Sequence, residues 1–383
     1  MRGYEMRIAQ IAPLAESVPP KMYGGTERVV SWLTEELVLQ GHDVTLFASG
    51  DSVTSSTLSA GAQKSLRAAG LRDHLASTLV MLEQVRRQAH RFDILHFHVD
   101  LLQFPLFQHL FYKCVTTLHG RLDMLDFHPV YREFPEMPLV SISDNQRTPM
   151  PPVKWVDTIY HGLPKELFSL NPAAGRYLAF LGRISPEKRV DRAIEIAKRT
   201  GIPIKIAAKI DPADADYFTS QIEPMLNHPL VEFIGEINDQ QKQEFLGRAQ
   251  ALLFPIDWPE PFGLVMIEAM ATGTPVIAWR NGSVPEIVED GRTGIIVDSM
   301  DEAADAATRV HDLDRTLIRQ RFDARFTVTR MAEHYLATYE RLLSAVPKIN
   351  VPVASTRRRP ETQERNRELT PRISKFGKMP SGK

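Results

Sequence analysis

Short apolar segments without internal polar alternation recur along this chain and alternate with segments of helical periodicity. They lie at residues 6–13, 43–49, 92–97, 113–118 and 138–143 in the first half, and at 177–181, 203–208, 230–234, 251–255, 275–279 and 294–297 in the second. Such runs are typical of strands buried on both faces, and their alternation with helices indicates right-handed crossovers and parallel sheets. The two series therefore predict an α/β protein with two doubly wound, Rossmann-like domains that face each other across a cleft.

The domain limits follow from the composition between the two series. A chain of 383 residues is long enough for two domains, and prolines cluster at residues 148–174. We therefore predict a first domain at 1–172 and a second at 173–325. Amphipathic periodicity predicts a last helix at about 328–343, whereas residues 51–91 show no clear strand and are expected to be mostly helical in their second half.

Charge is unevenly distributed along the chain. The net charge is −1, but residues 351–383 contain nine basic and three acidic residues, which leaves −7 on the other 350. The segment 350–383 also lacks aliphatic periodicity, so we predict a basic, disordered tail. A solvated tail is the favoured interpretation, and electrostatic contact with anionic lipid or nucleic acid is the alternative.

The chain contains one cysteine, Cys114, which lies in an apolar stretch and has no internal partner for a disulfide. A buried core residue is favoured over a catalytic thiol. Because the sequence shows neither a long apolar span nor a secretory signal, a cytoplasmic location is expected.

Two glutamates, Glu260 and Glu268, flank the predicted start of a helix that runs from about Gly263 to Gly273. Glu260 is expected in the loop before this helix and Glu268 more than one turn inside it. The first turn of a helix presents unpaired N–H groups and the positive end of the helix dipole, which bind anions. A phosphate at that point, with a carboxylate on either side to accept hydroxyl hydrogen bonds, indicates a nucleotide-sugar site.

Basic residues follow the first strand of the second series. Arg183 and Lys188 are placed to bind a diphosphate and to neutralise the charge of a leaving group without a metal. Solvated surface charge is the alternative for these two side chains. In the first half, Gly24 and Gly25 open a helix predicted to end near Gln40, where glycine lets the backbone approach a ligand closely. The dinucleotide pattern G-x-G-x-x-G is absent from this loop, which disfavours a nicotinamide enzyme.

Histidines in the first half supply weaker candidates. His119 follows a predicted strand and is expected either to point into the cleft or to be structural. His96, His98 and Asp100 occupy alternate positions, so they share one face of a strand. They suit either a metal site or, as we favour, the lining of an acceptor cleft. The acidic string at residues 211–216 is interpreted as a helix start, so no metal is expected.

Together these motifs resemble the retaining nucleotide-sugar glycosyltransferases of family four, which have the two-domain B-type fold. The resemblance covers about residues 6–345 and is strongest in the second half. Its carriers are Glu260 and Glu268 with seven residues between them, residues 268–278, Gly182-Arg183 with Lys188, Gly282 to Glu286, Asp290 to Gly294, Gly24-Gly25 and His119-Gly120.

The resemblance implies roles for individual residues. Arg183 and Lys188 would bind the diphosphate of the donor, Glu268 the ribose, and Glu260 the hydroxyls of the donor sugar. The residues implied around these groups are Gly24 and Gly25 across the cleft, the backbone of Phe262, Gly263 and Leu264 beside Glu260, His119 near the reacting carbon and Val231–Gly235 beside the base. Arg183, Lys188, Glu260 and His119 would be the catalytic set.

The family mechanism is a further implication of the resemblance. It implies a nucleotide-diphosphate sugar as donor, a hydroxyl acceptor, no cofactor or metal, and retention of anomeric configuration by front-face attack, with the leaving phosphate assisting. It also implies that the helix at about 326–345 crosses back to the first domain.

Two other functions stay open at this point: a nucleotide-sugar epimerase on the same fold, and a non-catalytic sugar-nucleotide-binding protein. The acceptor class, the base and the sugar are also open. Arginines in residues 62–91 suit either a solvated helix face or peripheral contact with an anionic membrane, and no nucleic-acid partner is expected.

Overall fold

Two parallel β-sheets organise the part of the chain that the structure describes, a computed structural model covering residues 5–22, 24–173 and 175–345. The first sheet has seven strands in the order β3-β2-β1-β4-β5-β6-β7, and the second has six in the order β10-β9-β8-β11-β12-β13. Every strand pair within the two sheets is parallel. The predicted fold class, two Rossmann-like domains of the α/β type, is therefore confirmed.

The strands of the first sheet are β1 Arg7–Ile11, β2 Asp43–Ser49, β3 Thr57–Ala62, β4 Ile94–Phe97, β5 Cys114–Thr117, β6 Leu139–Ser141 and β7 Trp155–Thr158. Those of the second sheet are β8 Tyr177–Ile184, β9 Ile204–Ile210, β10 Val231–Gly235, β11 Ala249–Phe254, β12 Val276–Trp279 and β13 Gly294–Val297. The domain limits at 1–172 and 173–325 stay predictions, and the segment 350–383 lies outside the described residues.

The α-helices connect and flank these strands. They are α1 Gly25–Leu39, α2 Leu75–Gln88, α3 Phe104–Phe107, α4 His128–Glu133, α5 Val190–Thr200, α6 Ala215–Tyr217, α7 Glu223–Leu226, α8 Asp239–Gly247, α9 Leu264–Ala271, α10 Val284–Ile287, α11 Met300–Arg309, α12 Arg315–Arg325 and α13 Val328–Ser344. Local capping explains several starts: Asn238 forms a capping box with Gln241 at α8, and Ser299, Asp314 and Thr327 each accept a backbone hydrogen bond at the start of a helix.

Two edge strands were missed by the sequence patterns. Strand β3 is half-exposed along its length, and β7 lies within the proline-rich stretch that was interpreted as a boundary. Both strands are at sheet edges, where one side of the strand has no neighbour. An edge strand needs no continuous apolar run, so the pattern that identified the central strands is absent there.

Alternate residues of each central strand enter different cores. In β8, Leu178 and Phe180 pack into the cluster with α5 and α11, whereas Ala179 packs on the opposite face with α9. In β1, Ile8 packs with α13, and Ala9 and Ile11 pack with α2. Burial of both faces is the physical reason for the unalternated apolar runs.

Helix α13 packs on the first sheet although it follows the second in the chain. Its Tyr335 and Tyr339 are fully buried against a cluster that includes Ile8 of β1 and Val29 of α1. Thr338 Oγ1 donates to Asp157 Oδ2 at 2.8 Å. In the other direction, Glu286 of α10 accepts the backbone N–H groups of Asp144 and Asn145, both at 2.8 Å. These contacts join the two sheets.

Among the described residues, no helix combines the length and the apolar character needed to cross a membrane.

Arg315, the first residue of α12, is a buried cation held by neutral acceptors. Its guanidinium donates to the carbonyl oxygens of Asn171, Ala249 and Gly247 at 2.7, 2.9 and 2.8 Å, and to Thr274 Oγ1 at 2.6 Å. Burial lowers its pKa to about 10. The side chain thereby fastens the segment entering the second sheet to β11 and α12.

We expect Arg315→Met to lower the free energy of unfolding by about 3 kcal/mol, because three buried carbonyl oxygens lose their donor. Urea unfolding followed by circular dichroism measures this loss. Arg309→Met is the matched control, since Arg309 is exposed and paired with Asp305 of the same helix. The control is expected to change stability by less than about 0.5 kcal/mol. Equal midpoints for the two variants would contradict the assignment.

Candidate active site

A cavity of about 430 Å³ opens where the carboxyl ends of strands from both sheets meet. Ligands bind at this edge of doubly wound sheets. The cavity is lined by these residues predicted for the donor site: Gly24, Gly25, His119, Arg183, Lys188, Glu260, Phe262, Gly263, Leu264 and Glu268. The structure therefore brings these residues together, while their individual roles stay predictions. Val231–Gly235, predicted to lie beside the base, are not among the lining residues, which include the two residues that follow β10, Glu236 and Ile237.

Glu260 and Lys188 form an ion pair inside the cavity. The Lys188 ammonium contacts the Glu260 Oε2 atom, and both side chains are largely buried. The ammonium also lies 5.0 Å from the centre of the Trp258 ring and 5.7 Å from that of Phe254. The two aromatic faces and one carboxylate hold the cation on the second-sheet wall.

The loop that carries Glu260 is fixed from behind by Gly282. Gly282 has φ +55°, and a Cβ at this position would lie 2.3 Å from the Glu260 backbone nitrogen. Only glycine accommodates both the left-handed backbone and the close approach. The backbone of Ser283 then donates to the Glu260 carbonyl at 2.9 Å.

Arg183 lies on the same wall, at the end of β8. Its guanidinium contacts Glu187 at 2.6 Å and Asp214 at 3.6 Å. The two basic residues predicted to bind a diphosphate are thus each paired with carboxylates. An anion entering the cavity would exchange places with those carboxylates.

Glu268 lies inside α9 and only 2% of its surface is exposed. Its Oε1 atom accepts from Lys242 Nζ at 2.7 Å, and its Oε2 atom has no hydrogen-bond partner among the described residues. A buried carboxylate oxygen without a donor is costly, so the position suits a ligand that supplies a hydroxyl. The N-terminus of α9, which begins at Leu264 after the left-handed Gly263, lies on the same cavity wall.

His119 occupies the opposite wall, after β5. Its Nε2 atom lies 2.8 Å from His98 Nδ1, and its ring stacks on that of His161 at 5.2 Å. In the part of the chain that the structure describes, its Nδ1 atom has no partner. Burial lowers the pKa of His119 to about 3, and it lowers the pKa values of His96, His98 and His161 well below 6.5. All four rings are therefore neutral at physiological pH.

Comparison with known proteins places this geometry in a family. Residues 23–146 match the family described as Glycosyltransferase Family 4, and residues 167–322 match Glycosyl transferases group 1. The phosphatidyl-myo-inositol mannosyltransferase of Mycobacterium leprae is 25% identical over 380 residues, covering 90% of this chain and all of the relative.

Two solved structures share the fold. The sucrose-phosphate synthase of Thermosynechococcus elongatus has a TM-score of 0.72 at 21% identity, with 89% of this chain and 100% of that chain covered. The Anabaena protein HepE, solved in complex with UDP-glucose, has a TM-score of 0.65 at 17% identity, with 88% and 100% covered.

The chain belongs to the family-4 glycosyltransferases with the B-type fold.

Three residues of the glycosyltransferase cavity escaped the sequence patterns. His161 follows β7, the strand that was not predicted, and Lys242 lies in α8, where one lysine among polar residues carries no distinguishing signal. Arg28 of α1 reaches across to pair with Asp239 of α8, whose carboxylate is also 3.5 Å from Lys242. The glycines at the start of α1 identified this segment as a candidate, but no sequence pattern indicates that Arg28 pairs with Asp239.

The prediction that His96, His98 and Asp100 line an acceptor cleft needs correction. His96 is fully buried and His98 nearly so, and neither lies in the cavity wall. Their rings are 4.1 Å apart, in a layer behind His119. Asp100 does not continue the alternation because the strand ends at Phe97 and Asp100 has φ +57°.

The alternative of a metal site at these histidines has no support in the described part of the chain. No group of three or more histidine, cysteine or acidic side chains there is arranged to hold a metal ion.

Three buried histidines, His96, His98 and His161, and the half-buried His119 are neutral and make the stability of the glycosyltransferase sensitive to acid. In the unfolded chain each titrates near pH 6.5, so below that pH the unfolded state binds more protons and stability falls as pH falls. We expect a loss of about 1.4 kcal/mol for each histidine between pH 7.5 and 5.5. Glu27, whose pKa is raised by burial, acts in the opposite sense and offsets part of this loss.

Urea unfolding at pH 8.5, 7.5, 6.5 and 5.5 measures the effect. The midpoint is expected to be constant between pH 8.5 and 7.5, where the histidines are neutral in both states, and to fall below pH 6.5. A midpoint that does not change down to pH 5.5 would show that these rings are accessible to protons in the folded protein.

Proposed function

We propose that this glycosyltransferase moves a hexose from a nucleotide-diphosphate donor to a hydroxyl acceptor, with retention of configuration and without a metal ion. The observation that carries the proposal is Glu268. Its Oε2 atom, which has no partner among the described residues, is buried in a cavity whose wall also includes a helix N-terminus and the basic side chains of Arg183 and Lys188. That set of groups matches the hydroxyl groups and phosphates of a sugar nucleotide.

The nucleoside end of the donor is assigned to the second-sheet wall. Glu268 would accept a ribose hydroxyl at Oε2 while Lys242 keeps its contact with Oε1. Glu236 and Ile237, which follow β10, extend the wall in the direction of the base. HepE, a structural neighbour, binds UDP and UDP-glucose according to its structures, which supports a nucleotide sugar as the ligand class.

The diphosphate is assigned to Arg183, Lys188 and the backbone at Gly263 and Leu264. In the structure Lys188 is paired with Glu260 and Arg183 with Glu187. A bound diphosphate would draw both cations toward itself and release Glu260 to accept hydroxyl groups of the donor sugar. Two cations and a helix dipole stabilise the leaving diphosphate electrostatically, which is why no metal is invoked.

The acceptor is assigned to the first-domain wall, which includes Met22, Glu27 and Arg67 in addition to His119. A hydroxyl approaching from this side meets the same face of the sugar that the phosphate leaves. The departing phosphate oxygen then takes the acceptor proton, and the configuration is retained. Peripheral membrane contact through residues 62–91 is part of the proposal; Leu75, Leu79 and Val80 of α2 are exposed there.

Calorimetric titration with UDP, GDP and ADP, each with and without a chelator, tests the donor site. Binding of one nucleotide, unchanged by the chelator, is the expected result. The matching sugar nucleotides are then incubated with hydroxyl acceptors, and the anomeric configuration of the product is read by NMR. An inverted product would refute retention, and an epimer formed from donor alone would favour the epimerase.

Glu268→Ala is expected to weaken nucleotide binding by about 1–3 kcal/mol, because the ribose loses a buried hydrogen-bond acceptor. Isothermal calorimetry measures the change. Glu244→Ala is the matched control: Glu244 is an exposed glutamate of α8 that pairs with Arg248. Nucleotide affinity equal to that of the control would remove Glu268 from the ribose site.

His119→Ala and Arg183→Ala are expected to differ in their kinetics. His119→Ala should lower kcat while leaving nucleotide affinity nearly unchanged, because the ring is assigned to the sugar. Arg183→Ala should lower kcat and also weaken diphosphate binding. Steady-state kinetics with calorimetry on both variants gives the comparison. If His119→Ala instead weakened nucleotide binding, the histidine would belong to the nucleotide site.

A further inference from the structure

A chain of buried polar side chains runs from His119 into the core of the first sheet. His119 Nε2 lies 2.8 Å from His98 Nδ1, and His98 Nε2 lies 2.8 Å from the amide oxygen of Gln10. Gln10 is on β1 and is fully buried. Its amide nitrogen donates to the Tyr339 hydroxyl at 3.4 Å. The chain therefore connects the cavity to helix α13.

The direction of each hydrogen bond follows from the chemistry of its ends. An amide oxygen only accepts, so the proton of neutral His98 is on Nε2. His98 Nδ1 is then bare and accepts from His119, so the proton of His119 is on Nε2. Burial keeps both rings neutral by lowering their pKa values. His119 Nδ1 is consequently a bare acceptor.

If the nitrogen and oxygen of the Gln10 amide exchanged places, the donor and the acceptor of every hydrogen bond in this network would exchange as well. His98 would then carry its proton on Nδ1, and His119 Nδ1 would become an N–H donor. His119 Nδ1 is buried and has no partner among the described residues. An orphaned buried N–H is costlier than an orphaned acceptor nitrogen, so the orientation found in the structure is the favoured one.

The other side of the network is compatible with this orientation. The Tyr339 hydroxyl accepts from Gln10 and donates to His96 Nδ1 at 2.7 Å, which leaves the His96 proton on Nε2 to be donated to Thr117 Oγ1 at 2.8 Å. Thr117 also lies 2.9 Å from the Tyr335 hydroxyl. Each of these groups has a partner of the opposite type.

We propose that Gln10 is a positioning residue that fixes His119 in the Nε2-protonated tautomer, so that its bare Nδ1 accepts a hydroxyl of the donor sugar. The identity of the ligand, a hydroxyl of the donor sugar, rests on the proposed function, whereas the tautomer assigned to His119 does not. A bare nitrogen attracts an O–H group and repels phosphate oxygens, which are acceptors. Gln10 thereby directs the sugar, and not the diphosphate, to the wall that carries His119.

Nitrogen-15 NMR of the histidine-labelled full chain tests the tautomer directly, because bare and protonated ring nitrogens have widely separated shifts. In the wild-type protein we expect His119 Nδ1 to be bare and Nε2 to be protonated, with His119→Gln identifying the signal. A protonated Nδ1 in the wild type would overturn the proposal without need of any further variant.

Gln10→Leu removes the acceptor that holds the His98 proton on Nε2. His98 is then free to donate from Nδ1, and the His119 signals should shift toward the reversed tautomer. Gln10→Glu provides a second route if the leucine variant folds poorly: its carboxylate favours a doubly protonated His98, which forces the proton of His119 onto Nδ1. Unchanged His119 shifts in a folded Gln10 variant would refute the positioning role.

Tyr335→Phe is the matched control. It deletes a buried hydroxyl of the same network but leaves the Gln10, His98 and His119 bonds intact, so it is expected to lower stability without altering the His119 shifts. A purely structural role for Gln10 predicts that the Gln10 and Tyr335 variants lose stability alike and keep the wild-type tautomer.

Kinetic measurements separate the positioning role of Gln10 from the proposed transfer of a sugar. If the chain transfers sugar, Gln10→Leu should lower kcat by about tenfold, the size expected for one lost hydrogen bond to the substrate, with little change in nucleotide affinity. A wild-type kcat in a tautomer-shifted variant would overturn the catalytic part of the proposal. Absence of transfer by the wild type would refute the proposed function while the tautomer result stands.

Discussion

Burial of parallel strands on both faces is the constraint on which this structure depends. It allows few polar groups along the strands, so charge accumulates where the strands end. In the second sheet Arg183 lies at the end of β8, Glu236 follows β10 and Glu260 follows β11, all at this edge. Because the two sheets present these edges to one cavity, the fold itself concentrates polar side chains in a single place.

The same constraint explains what the sequence could and could not predict. Glu260 and Glu268 were found because each is fixed relative to one helix start, and Arg183 and Lys188 because they follow one strand. These are local relations. Lys242 can be assigned to the site only through its contact with Glu268, which lies in a different helix. His161 can be assigned only through β7, a half-buried edge strand. Contacts between distant segments leave no local pattern, and they account for most of what was missed.

His96 and His98 show the limit of a periodicity argument. The alternation correctly indicated that the two side chains lie side by side: His96 is in β4, His98 follows its end, and their rings are 4.1 Å apart. It could not show that the His96 ring is covered by Tyr335 and Tyr339 of α13, a helix more than two hundred residues away. Gln10, one polar residue in an apolar strand, was the sequence signal that belonged with these histidines.

The ion pairs in the cavity wall bear on how a ligand would be held. Lys188 and Arg183 face carboxylates, and Lys242 bridges Asp239 and Glu268, so the cations are not left unpaired in a partly dry site. A bound diphosphate would have to replace these ion pairs. The net gain in binding free energy is therefore smaller than the attraction of two unpaired cations for the phosphates would suggest. Among the described residues, Glu268 Oε2, His119 Nδ1 and His161 Nδ1 of the cavity wall lack a hydrogen-bond partner, so in the proposed complex they are available to the ligand. Glu268 lies on the second-sheet wall and the two histidines lie on the first-sheet wall, so a ligand that contacts all three must reach both walls.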